Sequence, residues 1–160
     1  MEQEPAQLFL EDFCKGQKYA GTPRTVAQAD VLSFSTLTGD KHPLHYDAEY
    51  AKTTRFGRPI VHGLHLMSLT AVGAAPLSEL LRQSMVALLK QEAVFRKPVF
   101  VNDTLRPEFE IDEVERRPGE DWGTLTISVR LINQQNETVL EGRHVYRLRC
   151  RADAMTRGGS

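Results

Sequence analysis

The sequence predicts an α+β protein in which one long buried helix is wrapped by a curled antiparallel β-sheet. Three observations carry that prediction. From Pro59 to Ser78 the chain reads PIVHGLHLMSLTAVGAAPLS, with no Asp, Glu, Lys or Arg, and a helix that is apolar on every side belongs at the centre of a fold. After Met85 the period changes from helical to alternating, most clearly in GTLTISVRLIN, where Leu125, Ile127, Val129 and Leu131 alternate with Thr126, Ser128 and Arg130. Long strands with one apolar parity form an antiparallel sheet with one buried face, and the apolar helix is its natural cover.

The elements follow in order. A first helix is predicted to begin at Thr25, where Thr25 and Gln28 have capping-box spacing. Ala27, Val31, Phe34 and Leu37 then recur at helical spacing, and Gly39 supplies the stop. The loop DKHPLHYD comes next. Asp47 is placed to cap a short helix through AEYAK, and FGRP at 56–59 turns the chain into the apolar segment. MVALLKQEAVF, from Met85, is β-capable and ends at Lys97-Pro98. Asn102-Asp103 forms a turn before Leu105, Phe109 and Ile111, which share one parity. In the last strand Leu140, Gly142, His144, Tyr146, Leu148 and Cys150 alternate with Glu141, Arg143, Val145, Arg147 and Arg149.

Composition narrows the function classes. A chain of 160 residues is expected to form one domain, here residues 1–155 with TRGGS at 156–160 as a loose tail. Twenty Lys plus Arg against twenty-one Asp plus Glu give a net charge of -1, which argues against nucleic acid as a bulk electrostatic partner. Cys14 and Cys150 are too few for a disulfide scaffold and match a reducing compartment. MEQEPAQLFLEDF is acidic where an export signal is basic. The apolar run is long enough to span a bilayer by count. It nevertheless holds His62, His65, Gly63, Gly73 and two prolines, without flanking aromatic anchors. A cytoplasmic protein with no membrane partner is expected.

The chemistry concentrates between Asp40 and Gly63. Asp40 and His45 bracket a proline that stiffens their loop. A lone Gly-Asp pair reads first as a turn cap, but a carboxylate and an imidazole on one short rigid loop can hold a water between them, and the imidazole exchanges protons near neutrality. Downstream, the N–H of Gly63 is expected at the start of the apolar helix, where an unpaired donor and the helix dipole favour a developing oxyanion. Glycine there leaves room for a substrate carbonyl. A water activator beside an oxyanion site is what hydration of an α,β-unsaturated thioester requires.

TLTGDKHPLHYDAEYAKTTRFGRPIVHG resembles the hydratase signature of MaoC-like dehydratases and (R)-specific enoyl-CoA hydratases, which show a G-D-x-N-P-x-H-x-D loop, an F-G-x-P/R-I-V/A-H-G run and then an apolar helix. The resemblance extends from about Phe13 to Tyr146. It implies a hotdog fold, a homodimer or dimer of dimers, Asp40 and His45 as the catalytic pair, and Gly63 with Val61 and His62 at the oxyanion and substrate site. It also implies syn addition of water to a trans-2-enoyl thioester carried on coenzyme A or an acyl carrier protein, with no separate cofactor. One departure stands out: His42 occupies the family's Asn position. The rival readings are a hotdog thioesterase and a non-catalytic acyl-binding subunit.

Other residues take plainer expectations. Asp47 is read as a helix cap, His62 as a brace for the loop and His144 as a hydrogen-bonded core or interface residue. His62 and His65 have the spacing to share a helix face. The four histidines near Asp40 raise the question of zinc, but spacing places no third ligand and a hydratase needs no Lewis acid, so no metal is expected. Arg143, Arg147, Arg149 and Arg151, together with Lys52, Arg55, Arg58 and Lys97, are candidates for the phosphates of the carrier. The acyl group is expected in a tunnel formed by residues 64–95.

Overall fold

The computed structural model describes residues 6–152; the expected tail at 156–160 lies outside them. Ten helices and strands are numbered here: β1 (Lys18–Ala20), β2 (Arg24–Thr25), α1 (Gln28–Thr38), α2 (Ala48–Lys52), α3 (Gly63–Ser68), α4 (Leu77–Leu80), β3 (Met85–Phe95), β4 (Thr104–Arg116), β5 (Trp122–Ile132) and β6 (Thr138–Arg149). All strand pairings are antiparallel, in the order β1-β4-β5-β6-β3, with the short β2 also on β4. This is the α+β hotdog layout, with helical segments held against one face of a curled sheet.

The apolar parity read from the sequence is buried, but in β5 the opposite parity is partly buried too, at Thr124 and Thr126. Phe109 and Ile111 of β4, Leu125, Ile127, Val129 and Leu131 of β5, and Leu140, His144, Tyr146 and Leu148 of β6 are all buried. Leu66, Val72, Leu77 and Leu81 meet them from the helical side in one contiguous core. β3 differs. Among the described residues it pairs only with β6, and Val86, Leu88, Leu89, Val94 and Phe95 are each about half exposed along it.

The fold class holds, but the central helix is not one rod. Residues 59–78 resolve into α3, a 3-10 turn at Val72–Ala74 and the start of α4. Ser68 Oγ donates to the His65 carbonyl at 2.6 Å and Thr70 Oγ1 to the Met67 carbonyl at 2.7 Å, local bonds that compete with continuation of the helix. Ala71 is extended at φ -61 and ψ 131. Gly73 and Pro76 complete the interruption. Leu64 is 64% exposed, so the segment is not apolar-buried on every side.

α1 also starts later than expected. Arg24 and Thr25 pair with β4, and Thr25 Oγ1 meets Thr104 Oγ1 at 2.7 Å. The helix begins instead behind Ala27, whose N–H donates to the Asp30 carboxylate at 2.9 Å. Val31 and Ser35 are buried, whereas Leu37 is 84% exposed and leaves the predicted apolar face. Gly39 ends the helix as predicted, with φ 76. Among the described residues no helix is long and apolar enough to cross a membrane. Both cysteines are free.

Candidate active site

Gly39 turns the chain sharply out of α1 and delivers Asp40 to the loop. The Asp40 carboxylate accepts the His42 N–H at 3.2 Å. His42 in turn accepts the Leu44 N–H on Nδ1 at 3.2 Å, capping the 3-10 turn Pro43–His45. The histidine thus does with a ring nitrogen what an Asn side chain does with its oxygen. Asp47 caps α2 as predicted, accepting the N–H groups of Glu49 and Tyr50 at 2.9 and 3.0 Å.

His45 is half-buried at the end of that turn, and its Nδ1 lies 2.8 Å from the Ile60 carbonyl. A carbonyl only accepts, so Nδ1 carries the proton and neutral His45 keeps an acceptor lone pair on Nε2. His62 lies beneath it, with ring centroids 3.8 Å apart and an interplanar angle of 24°. His62 is 2% exposed. Its Nε2 is 2.6 Å from Tyr46 Oη, while Tyr46 Oη donates to the Asp40 carbonyl at 2.8 Å. With the phenol proton committed to Asp40, Nε2–H of His62 donates to Tyr46. Burial, and then the proximity of His45, lower the His62 pKa against the opposing pull of Asp40, which keeps the ring neutral.

The structure therefore brings Asp40, His45 and His62 together, with one nitrogen or oxygen from each within 4.8 Å of the others. One bridging water spans such a gap, since each of its hydrogen bonds covers about 2.8 Å. The same three groups are a conceivable metal triad, a juxtaposition the sequence spacing did not place. Ligation through Nε2 would break the Tyr46 bond, and it would move the His62 proton to Nδ1, which is buried and has no acceptor among the described residues.

Val61 is buried and pinned through its N–H to the Val99 carbonyl at 2.8 Å. This places Gly63 directly after His62, at the start of α3. No backbone acceptor takes the Gly63 N–H among the described residues. Because α3 spans only Gly63–Ser68, the expected dipole of a long helix is reduced to the local effect of these first N–H groups. The glycine also makes room for something other than expected. A Cβ there would lie 2.9 Å from Phe95 Cζ, so the missing side chain accommodates the Phe95 ring.

His65 does not join the cluster. It is buried with its ring stacked on Phe34, centroids 5.2 Å apart. Phe34 also contacts His62, at 5.0 Å between centroids. Tyr46 and Phe95 escaped the sequence reading: Tyr46 fills a variable position of the loop pattern, and Phe95 lies on a strand far along the chain. His144 is a core residue, as expected. Its Nε2 accepts from Gln91 Nε2 at 3.0 Å and its Nδ1 lies 3.1 Å from Tyr146 Oη.

Four of the eight basic candidates are paired with carboxylates, and Arg149 is exposed at the end of β6. Lys52 pairs with Glu49, Lys97 with Glu137, Arg143 with Asp112 and Arg151 with Asp12. Arg147 lies over Trp122 at 3.9 Å. Arg58 sits 3.7 Å over Phe100 and Arg55 4.9 Å over Phe56, and neither has a carboxylate partner among the described residues. A cavity of about 420 Å³ is lined by residues including Val72, Leu81, Met85, Leu88 and Tyr146. It lies at the Met85 end of β3, and apart from Tyr146 its lining comes from the 64–95 stretch expected to form the tunnel. A larger concavity of about 930 Å³ lies across the sheet between residues such as Lys18, Glu108 and Arg143, and neither Asp40 nor His45 lines it.

Residues 13–133 match the model of the MaoC like domain. The chain belongs to the MaoC-like family. It is 35% identical over 137 residues to an (R)-specific enoyl-CoA hydratase of Aeromonas caviae, covering 83% of this chain and 93% of that protein. The crystal structure of an Archaeoglobus fulgidus protein described as a monoamine oxidase regulatory protein superposes with a TM-score of 0.85 at 32% identity, covering 92% of this chain and 98% of that one. A Mycobacterium tuberculosis protein described as a double hotdog fold superposes with a TM-score of 0.76 at 21% identity, covering 92% of this chain and 46% of the other. At that identity the likeness speaks for the fold alone.

Proposed function

We propose that this MaoC-like protein is a hydro-lyase that adds water reversibly to trans-2-enoyl thioesters to give (R)-3-hydroxyacyl thioesters, with no cofactor beyond the carrier of the acyl group. The observation that carries the reading is the fixed tautomer of His45. With Nδ1–H held by Ile60, the Nε2 lone pair is available to a water shared with the Asp40 carboxylate. Attack of that water on the β-carbon moves charge to the thioester oxygen, where the unpaired N–H of Gly63 is the proposed donor. Asp40 and His45 between them take the proton of the water and return one to the α-carbon on the same face. Acid–base groups of this kind contribute about 10²–10⁴-fold, and one oxyanion donor about 10²–10³-fold.

The carrier is proposed to be coenzyme A or an acyl carrier protein, its phosphate meeting Arg55 or Arg58, two cations near the loop that lie over Phe56 and Phe100. A cytoplasmic location suits the two free cysteines. A homodimer is proposed to join through β3, whose outer edge is unpaired among the described residues and whose exposed side chains are largely apolar.

The test is the loss of conjugated-thioester absorbance with crotonyl-CoA and then trans-2-octenoyl-CoA, with Asp40→Asn alongside and a free-thiol assay on saturated acyl-CoA. Absorbance loss in the wild type only, without thiol release, is expected. Thiol release would point to a thioesterase. Tight binding without turnover of either enoyl-CoA would point to an acyl-binding subunit.

A further inference from the structure

We infer that Phe95 is a specificity-determining residue that limits the width of the acyl group beside the thioester carbonyl. The inference rests on the hydratase reading and deepens it. Phe95 ends β3 opposite Leu140 of β6, and its main chain is anchored there because the following Arg96 N–H donates to the Val139 carbonyl at 2.8 Å. Its ring reaches the Gly63 backbone: Cζ, Cε1 and Cε2 lie 2.9, 3.1 and 3.3 Å from where a Gly63 Cβ would stand. Gly63 directly follows His62, whose ring stacks on His45. The aromatic edge therefore stands beside the group proposed to receive the thioester oxygen, within one residue of the ring that supports His45.

The side chain is 48% exposed, so the ring is not consumed by core packing and presents surface at the site. Carbon lying beside a carbonyl held by Gly63 meets this surface first. A straight enoyl chain passes an aromatic edge, whereas a substituent on the α-carbon adds width where the ring stands. Chain length is a separate property, since carbons beyond the β-position lie farther from Gly63. Phe95 is assigned no part in proton transfer, and removing its ring leaves Asp40, His45, His62 and the Gly63 N–H in place.

The experiment compares the wild type with Phe95→Ala and Phe95→Leu on crotonyl-CoA, trans-2-methylbut-2-enoyl-CoA and trans-2-octenoyl-CoA. One methyl group in an apolar pocket discriminates by about 10- to 200-fold, so Phe95→Ala is expected to raise kcat/KM for the 2-methyl substrate relative to crotonyl-CoA by at least about tenfold. Phe95→Leu gives a smaller rise, and the octenoyl-to-crotonyl ratio changes little. Light scattering monitors assembly; if Phe95→Ala dissociates or fails to fold, the Phe95→Leu ratios decide. An unchanged 2-methyl ratio in a protein that still hydrates crotonyl-CoA overturns the assignment of Phe95 and leaves the hydratase reading intact. A shift confined to octenoyl-CoA overturns it equally. A wild type that hydrates none of the three removes the hydratase reading and this inference with it.

Discussion

The ring of His62 lies flat beneath the ring of His45, 3.8 Å between centroids, while its own Nε2 reaches Tyr46. A buried neutral imidazole thus supports the face of His45, and a phenol ties it back to the main chain of Asp40. Tyr46→Phe removes this tie without changing ring packing. Because small misplacements of catalytic groups cost up to about 10²-fold, Tyr46→Phe and His62→Gln are expected to lower kcat by roughly 10- to 100-fold with little change in KM. Steady-state kinetics on crotonyl-CoA checks the split, and a rise in KM alone would assign the pair to substrate binding.

Asp40→Asn and His45→Gln should each lower kcat by about 10²–10⁴-fold and leave stability nearly unchanged. Asp40 is exposed and His45 half-buried, so neither contributes much to the core. Urea unfolding beside the kinetics separates lost chemistry from lost fold. The double variant should be little slower than the worse single one, because the two groups are proposed to act on one water.

Acid is expected to destabilise the protein through His144. Burial lowers its pKa from 6.5 to about 4, and a proton on Nε2 would face the Gln91 amide N–H at 3.0 Å. The unfolded chain therefore binds more protons than the folded one between these values. Stability is fully present above about pH 6.5 and falls as the pH drops toward 4. His62 and His65, whose pKa values burial also lowers, act in the same direction. Urea midpoints across this range should fall more steeply in the wild type than in His144→Gln; parallel curves would show that His144 does not carry the effect.

The exposed side chains of Val86, Leu88 and Leu89 on β3 should be covered in solution. Leu89→Lys places a charge on the free edge and is expected to yield monomer by light scattering, with the sheet intact by circular dichroism. A wild type that is already monomeric and fully active would refute association through β3.

Much of this architecture was legible in residue order. β3 begins and ends where the β-capable run does, the parity of β5 and β6 predicts their buried faces, and Asp47 and Gly39 punctuate the helices as their chemistry dictates. The errors arise where local signals compete with distant ones. Thr25 has the right spacing to cap a helix, but pairing with Thr104 draws it into the sheet. The run 59–78 is apolar enough for one helix, but Ser68 and Thr70 bond back onto it, and Gly73 and Pro76 interrupt it. At the site, Asp40, His45 and Gly63 lie on a recognisable pattern. The roles of Tyr46 and Phe95 depend on a loop folding over His62 and on the end of a strand meeting α3, and neither contact has a sequence period.

The groups proposed to carry the chemistry all fall between Asp40 and Gly63, whereas the strands of the main sheet lie on either side of that stretch. The reactive part of the molecule is therefore one continuous stretch, anchored to the scaffold through buried Ala51, Val61 and His62. A tandem gene duplication would copy stretch and scaffold together. One copy could then lose Asp40 or His45 by drift and persist as a folded half, its long strands and its free β3 edge still able to shape and cover the site of its twin.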